Sequence, residues 1–167
     1  VYFLSNTALS ETSYIKTRVY RDTFKNLLSS YDDNTYSTQT RRYTFNSIYD
    51  DTTYGGSIEY GKTIGRHQLK VAAHYKLDEH KEHDKGEPEG KFQDRTTSYG
   101  IEDTIMLTDN LNLVVGGSYD TRKIIEAYKY DSDLNGFESF DHDKNHAFNP
   151  QIGLFAKLDD NNDARVT

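Results

Sequence analysis

The sequence has no cysteine, so it carries neither a disulfide framework nor a thiolate metal site. It has only two prolines, Pro88 and Pro150, and long uninterrupted elements are therefore open to it. No stretch approaches the ~18 consecutive apolar residues that a membrane-spanning helix requires. That excludes a helical membrane protein and leaves a β-barrel open, because barrel strands carry their signal in alternation. The apolar share is 34 %, below the roughly 45–50 % of soluble domains. Excess positive charge is missing too: 27 acidic against 20 basic residues give −7, which argues against a nucleic-acid partner. No signal peptide precedes Val1, and both ends of the chain read as strand, so the sequence is expected to be a piece of something larger.

What is abundant is aromatic. With 14 Tyr and 8 Phe the chain is unlike a disordered segment, which is poor in such residues. Helical periodicity is nearly absent and period two recurs. Leu69, Val71, Ala73 and Tyr75 alternate with Gln68, Lys70, His74 and Lys76. The same pattern sets Ile152, Leu154, Ala156 and Leu158 against Gln151, Gly153 and Lys157, with Phe155 as an exception. It returns in Tyr54–Gly61 and Leu111–Tyr119, and more weakly through Ile15, Thr17 and Val19.

Between the alternating runs lie two kinds of connector. Thr63–Arg66, Thr108–Asn110 and Asp159–Asp163 are short, rich in Gly, Asn and Asp, and predict tight hairpin turns; Asn6–Thr12 is read as a longer member of that class. Asp32–Arg42, Asp78–Asp94 and Asp131–Asn149 are long and polar and predict large loops. Short and long connectors alternate along the chain. An up-and-down antiparallel meander produces this pattern when tight turns lie at one end and loops at the other. The expected fold is all-β, a meander of about eight long strands forming part of a larger barrel. Leu111–Tyr130 shows no turn signal, although soluble strands usually run ~5–6 residues. A strand that begins in lipid and continues into water would look like this. A soluble β-sandwich with one wet face is the competing architecture, and it does not account for the asymmetric connectors.

Leu107–Asp120 (LTDNLNLVVGGSYD) resembles the periplasmic turn and rising strand found repeatedly in TonB-dependent outer-membrane receptors. Asn149–Leu158 resembles a strand of the same family that reads Pro-x-x-Gly-Leu-x-Tyr, with Ala156 where an aromatic is often seen. Ile15–Asp22 looks like another rising strand. The resemblance runs along essentially the whole chain as a pattern of strand, turn and loop. It implies a barrel of about 22 strands with a plug inside, in the outer membrane of a Gram-negative bacterium. Such a receptor imports a scarce ligand, often an iron–siderophore complex, with energy from a TonB complex. The chain would supply roughly a third of that barrel. The plug, through which TonB would be contacted, is not visible in it. One feature departs from the pattern: strict alternation puts Asp103 on the outward face with Tyr99, Ile101, Ile105 and Leu107. A β-bulge could redirect it.

The candidate chemistry lies in the long connectors. His80, His83 and Asp84 in one, with Asp141, His142, Asp143 and His146 in another, are plausible ligands for a borderline cation; solvated charged loops are the other reading. Acidic pairs such as Asp32–Asp33, Asp50–Asp51 and Asp159–Asp160 read as turn and loop residues. No Gly-rich phosphate loop or Ser-His-Asp setting is present. Gly55-Gly56 and Gly116-Gly117 lie inside strand patterns and would let backbones or rings approach. Tyr60, Tyr75, Tyr99 and Tyr119 fall on outward faces, where rings suit a headgroup boundary.

Three functions remain in view: a receptor barrel that binds and transports without catalysis, another outer-membrane barrel such as a substrate-specific porin, and a soluble all-β binding module. In the receptor reading the segment's ligand-binding contribution comes from loops 32–42, 78–94 and 131–149. No cofactor is expected. The expected partners are outer-membrane lipid and a small ligand such as a metal–siderophore, with self-association through open sheet edges.

Overall fold

In a computed structural model, which describes all 167 residues, the chain forms one antiparallel sheet of nine strands. They are β1 (Tyr2–Ser10), β2 (Ser13–Ser29), β3 (Asn46–Ile64), β4 (His67–Asp84), β5 (Gly90–Thr108), β6 (Leu111–Asp131), β7 (Gly136–Ser139), β8 (Lys144–Lys157) and β9 (Asp163–Val166). Neighbours in sequence are neighbours in space, except that short β7 and long β8 both pair with β6. β1 and β9 stand at the two ends of the order.

The sheet is a single layer. Only six residues are buried, so no second sheet covers either face, and the sandwich architecture is not adopted. What holds the strands is the ladder: 114 backbone hydrogen bonds, 99 of them within the strands. This satisfies the obligatory polar groups of the main chain without a core.

The tight turns fall where the sequence predicts them, at Gly65–Arg66, Asp109–Asn110 and the bend before β9. Gly65 has φ +59°, a left-handed conformation that glycine adopts without strain. Asp159 builds the last turn by accepting from the backbone N–H of Asn161 and the side-chain amide of Asn162. The first turn is a correction. Asn6–Ser10 belongs to β1, paired with Lys16 through Ser13, and the connection narrows to Glu11–Thr12. Small polar residues read as turn there, but they serve an exposed edge strand.

The loop ends need a larger correction. The predicted loop Asp78–Asp94 shrinks to Lys85–Glu89, because β4 runs on to Asp84 and β5 already starts at Gly90. The predicted loop Asp131–Asn149 contains β7 and the first six residues of β8. Cross-strand charge pairs replace apolar contacts in these extensions: Lys91 lies 3.1 Å from Glu79 and 2.6 Å from Glu126, and Lys81 3.0 Å from Glu89. Lys91 directly faces Lys81, and the carboxylates on diagonal positions offset that repulsion, yet they leave no apolar alternation to read. Loop 32–42 does lie outside the strands, within the stretch 30–45.

Register sorts the side chains into two faces. Ile15, Tyr60, Val71 and Ile101 stand in one cross-strand row, and Ile58, Ala73, Tyr99, Tyr119 and Phe148 in the next. Val19, Gly56 and Tyr75 follow toward the loops. Toward the turns come Leu69, Val115 and Ile152, then Ile105, Leu113 and Leu154. This is the apolar face. Among its tyrosines are Tyr54, Tyr60, Tyr75, Tyr99 and Tyr119, all five exposed. The opposite, polar face carries Lys16, Glu59, Lys70, Glu102, His74, Lys76, Asp78 and Asp120.

Candidate functional site

The polar face is wired by short side-chain bonds. Tyr14 donates to Glu59 at 2.8 Å, Lys16 approaches the same carboxylate at 3.3 Å, and Lys70 binds Glu102 at 2.8 Å. Nearer the loops, Lys76 meets Asp78 at 2.7 Å, Arg122 meets Asp94 at 2.6 Å, and Asn149 donates to Asp120 at 2.6 Å. Ala72 and Gly100 interrupt this wall and form the floor of a dish rimmed by Glu59, Lys70, Glu102, Ser118 and Asn149. Two tyrosines of β2 lie flat across glycines of β3: Tyr14 over Gly61 and Tyr20 over Gly55. Tyr20 also reaches His74 Nε2 at 3.4 Å.

Beyond Lys76 and Leu77 the polar face becomes aromatic, in the extensions that sequence reading assigned to loops. His80 stands between Tyr49 and Phe92, with ring centroids 5.8 and 6.1 Å away, and Phe92 meets Phe140 at 5.8 Å. The register places Phe24, Asp51, His80, Phe92 and Ala127 in one row. His80 Nδ1 lies 2.5 Å from Asp51 and Nε2 lies 3.2 Å from Glu82. Partial burial favours the neutral ring, but the bonds to Asp51 and Glu82 outweigh it and raise the His80 pKa above the ordinary histidine value. The result is an imidazole clamped between two carboxylates within an aromatic row.

The structure does not bring the metal candidates together. His80 and Asp84 lie on the polar face of β4, whereas His83 lies on the other face, opposite Ile48. His83 Nδ1 is buried without a hydrogen-bond partner. His146 is on the apolar side of β8, where it meets the Tyr119 ring at 6.1 Å. Asp141, His142 and Asp143 are exposed in the connector between β7 and β8. No three His, Asp or Glu side chains are grouped so as to hold a metal ion. Asp51 and the aromatic partners of His80 escaped sequence reading as its neighbours because cross-strand register creates their neighbourhood. Glu82, by contrast, is two residues along the same strand and shares its face once the segment is known to be a strand rather than a loop.

Loop 30–45 is organised around Asp32. Its carboxylate accepts the backbone N–H of Thr40 and Arg41, each at 2.9 Å, and the Thr40 hydroxyl at 2.8 Å. Gln39 then ties the loop to its stem through the carbonyls of Ser30 and Phe45. Desolvation pushes the Asp32 carboxyl up, but these donors and Thr38 together hold it well below the usual carboxylate range. The loop thus presents Tyr36 (72 % exposed) and Tyr43 on a fixed backbone.

The fold has a counterpart among solved structures. A structure titled copper transporter OprC aligns with 95 % of this chain at a TM-score of 0.69 and 12 % identity. The chain spans about 27 % of the length of that structure. At this identity the likeness speaks for the fold alone: a long-stranded antiparallel meander that forms part of a larger protein there. No protein-family model matches the sequence, and no curated protein matches it.

Proposed function

We propose that this sheet is a wall of an outer-membrane transport barrel, its apolar face in lipid and its polar face toward the lumen. The observation that carries the reading is the height of the apolar face. Its rows run from Ile105, Leu113 and Leu154 to Val19 and Tyr75. Those four two-residue steps make about 27 Å along a strand, or about 20 Å of height at a tilt of ~40°. A bilayer-facing barrel band is ~25 Å tall and edged by aromatics. The tight turns then lie at the periplasmic side, and the extended strand ends and loop 30–45 project outward. The shared fold with a stretch of a solved transporter supports the same reading.

Within that class we favour a TonB-dependent receptor that takes up a scarce ligand such as an iron–siderophore complex, without catalysis. The sequence holds no Gly-rich phosphate loop or Ser-His-Asp setting that would favour catalysis, and the acidic chain is unsuited to nucleic acid. The ligand would meet the His80–Phe92–Phe140 row and the tyrosines of loop 30–45, since aromatic faces suit a large ring-bearing complex. The dish over Ala72 and Gly100, deeper along the polar face, would be a seat for a plug, and TonB would act through that plug. Copper is the cargo in the solved neighbour's title. Here soft sulfur ligands for Cu(I) are reduced to a single Met, so copper is the second choice. The open edges β1 and β9 would pair with further strands or with a second copy.

Uptake of labelled ferric siderophores and of copper by cells making the full-length protein tests the cargo. Accumulation of iron complexes that His80→Ala/Phe92→Ala reduces supports the receptor. Copper accumulation alone, unchanged by that variant, sinks the siderophore assignment.

A further inference from the structure

One row of the apolar face stands out electrically. Immediately beyond Tyr75 and Thr97, toward the loops, the register aligns Arg95 of β5 with Lys123 of β6, and Lys123 with Lys144 of β8. All three are exposed. Adjacent strands are ~4.8 Å apart, so three cations occupy a patch about 10 Å across. Like charges directly opposite one another destabilise a sheet, and here nothing on the chain neutralises them. None of the three takes part in any ion pair.

The contrast with nearby cations is sharp. On the same face, two rows further out, Lys25 binds Asp50, Lys81 binds Glu89, and Lys91 binds Glu79 and Glu126. On the opposite face Arg122 binds Asp94. A chain of net charge −7 has carboxylates to spare, yet supplies none to this row. Directly beneath it lie Thr97 and Thr121, joined at 2.6 Å, and then Tyr99, Tyr119 and Phe148. The patch therefore caps the aromatic edge of the apolar band, at the level of lipid headgroups on the loop side.

We propose that Arg95, Lys123 and Lys144 form a binding site for the phosphorylated headgroup of an outer-leaflet glycolipid. The acyl chains would lie on Tyr99, Tyr119 and Phe148, while the phosphate oxygens supply the charge that the chain withholds. Arginine binds phosphate through a two-pronged fork and lysine as a point charge. Each cation near an anionic lipid surface contributes roughly a fivefold preference, so three give about a hundredfold. This inference rests on the apolar face being lipid-exposed.

The test uses the full-length protein inserted into phosphatidylcholine vesicles containing either bisphosphorylated lipid A or its dephosphorylated form, followed by extraction and quantitation of co-purifying lipid. Wild type is expected to retain the phosphorylated form in at least tenfold excess. The variant R95Q/K123Q/K144Q should lose that excess while keeping its strand circular dichroism and its insertion, and K25Q/K81Q should keep it. Equal retention by the triple variant overturns the proposal. Displacement of the lipid by millimolar inorganic phosphate also overturns it, because the site would then take a free anion. Failure of wild type to insert into either vesicle would instead remove the lipid-wall reading on which the site depends.

Discussion

On the apolar face, His67 Nδ1 lies 2.6 Å from Asp103 Oδ2, joining β4 to β5 near the tight turns. Asp103 keeps regular register, opposite Leu69 and Val115, so no bulge turns it away. Its second oxygen is buried without a partner. An acidic group is tolerated here because it lies near the band's edge, where the cost of charge in lipid falls to about 0–1 kcal/mol, and because an imidazole meets it. Removing one partner of such a pair costs more than removing both. His67→Leu is expected to lower unfolding stability by about 1–2 kcal/mol, and H67L/D103L to recover most of it. Urea titrations of vesicle-inserted protein check the order; equal midpoints for the single and double variants would refute it.

Tyr20 and Gly55 face each other across β2 and β3, and the tyrosine ring occupies the space that a Cβ at 55 would need. Gly55→Ala must displace the ring and with it the contact to His74. Overpacking costs about 1–3 kcal/mol, offset by the ~0.5–1 kcal/mol that alanine gains over glycine within a strand. The expected net loss is about 1 kcal/mol. Tyr20→Ala/Gly55→Ala should remove the clash, leaving a double variant more stable than the sum of the single changes.

Asp32 gives loop 30–45 an acid-sensitive centre. Its carboxyl titrates lower in the fold than its ordinary value of 3.8. The stabilisation is therefore complete above that value and is lost as pH falls toward the depressed folded value. Asp32→Ala is expected to raise proteolytic cleavage within 30–45 at neutral pH without changing the sheet. The native loop should resist protease until the medium is more acidic than about pH 4. A cleavage rate unchanged in the variant would show that the carboxylate does not organise the loop.

His80 works in the opposite direction. Its folded pKa is raised above 6.5, so its contribution is complete below that value and is lost as pH rises through the raised one. Hydrogen exchange in segments 46–52 and 79–83, corrected for the intrinsic rate, should accelerate in wild type as pH rises from below 6.5 through the raised folded value. In His80→Gln the corrected rate should be flat with pH; an unchanged rise there would assign the effect to another group.

The meander and its turns were legible because they depend on local signals. Gly65, Asp109–Asn110 and the alternation from Gln68 to Lys76 each act within a few residues. The loop-end strands were not, because Glu79, Lys81, Lys91 and Glu126 hold them with charge pairs that look like loop sequence until partners are known. The same limit hid the candidate site. His80 was visible as a possible ligand, but Asp51 is 29 residues away and reaches it only through register. The Tyr20–Gly55 contact was foreshadowed only as a place where a ring could approach.

Adjacent residues of one strand face different media in this account. Because these 167 residues hold no cysteine, single cysteines placed in them, with any cysteine elsewhere in the full-length protein replaced first, make it measurable at single positions. Val71→Cys and Ile101→Cys lie on the apolar face, and Ala72→Cys and Gly100→Cys on the polar one; the nearest atom to a Cβ at Gly100 is 3.9 Å away, so that site has room. With a fluorophore on each cysteine of the vesicle-inserted full-length protein, a lipid-borne quencher is expected to quench positions 71 and 101 strongly and to leave 72 and 100 bright. Equal quenching at all four positions, or none at any, would contradict the account.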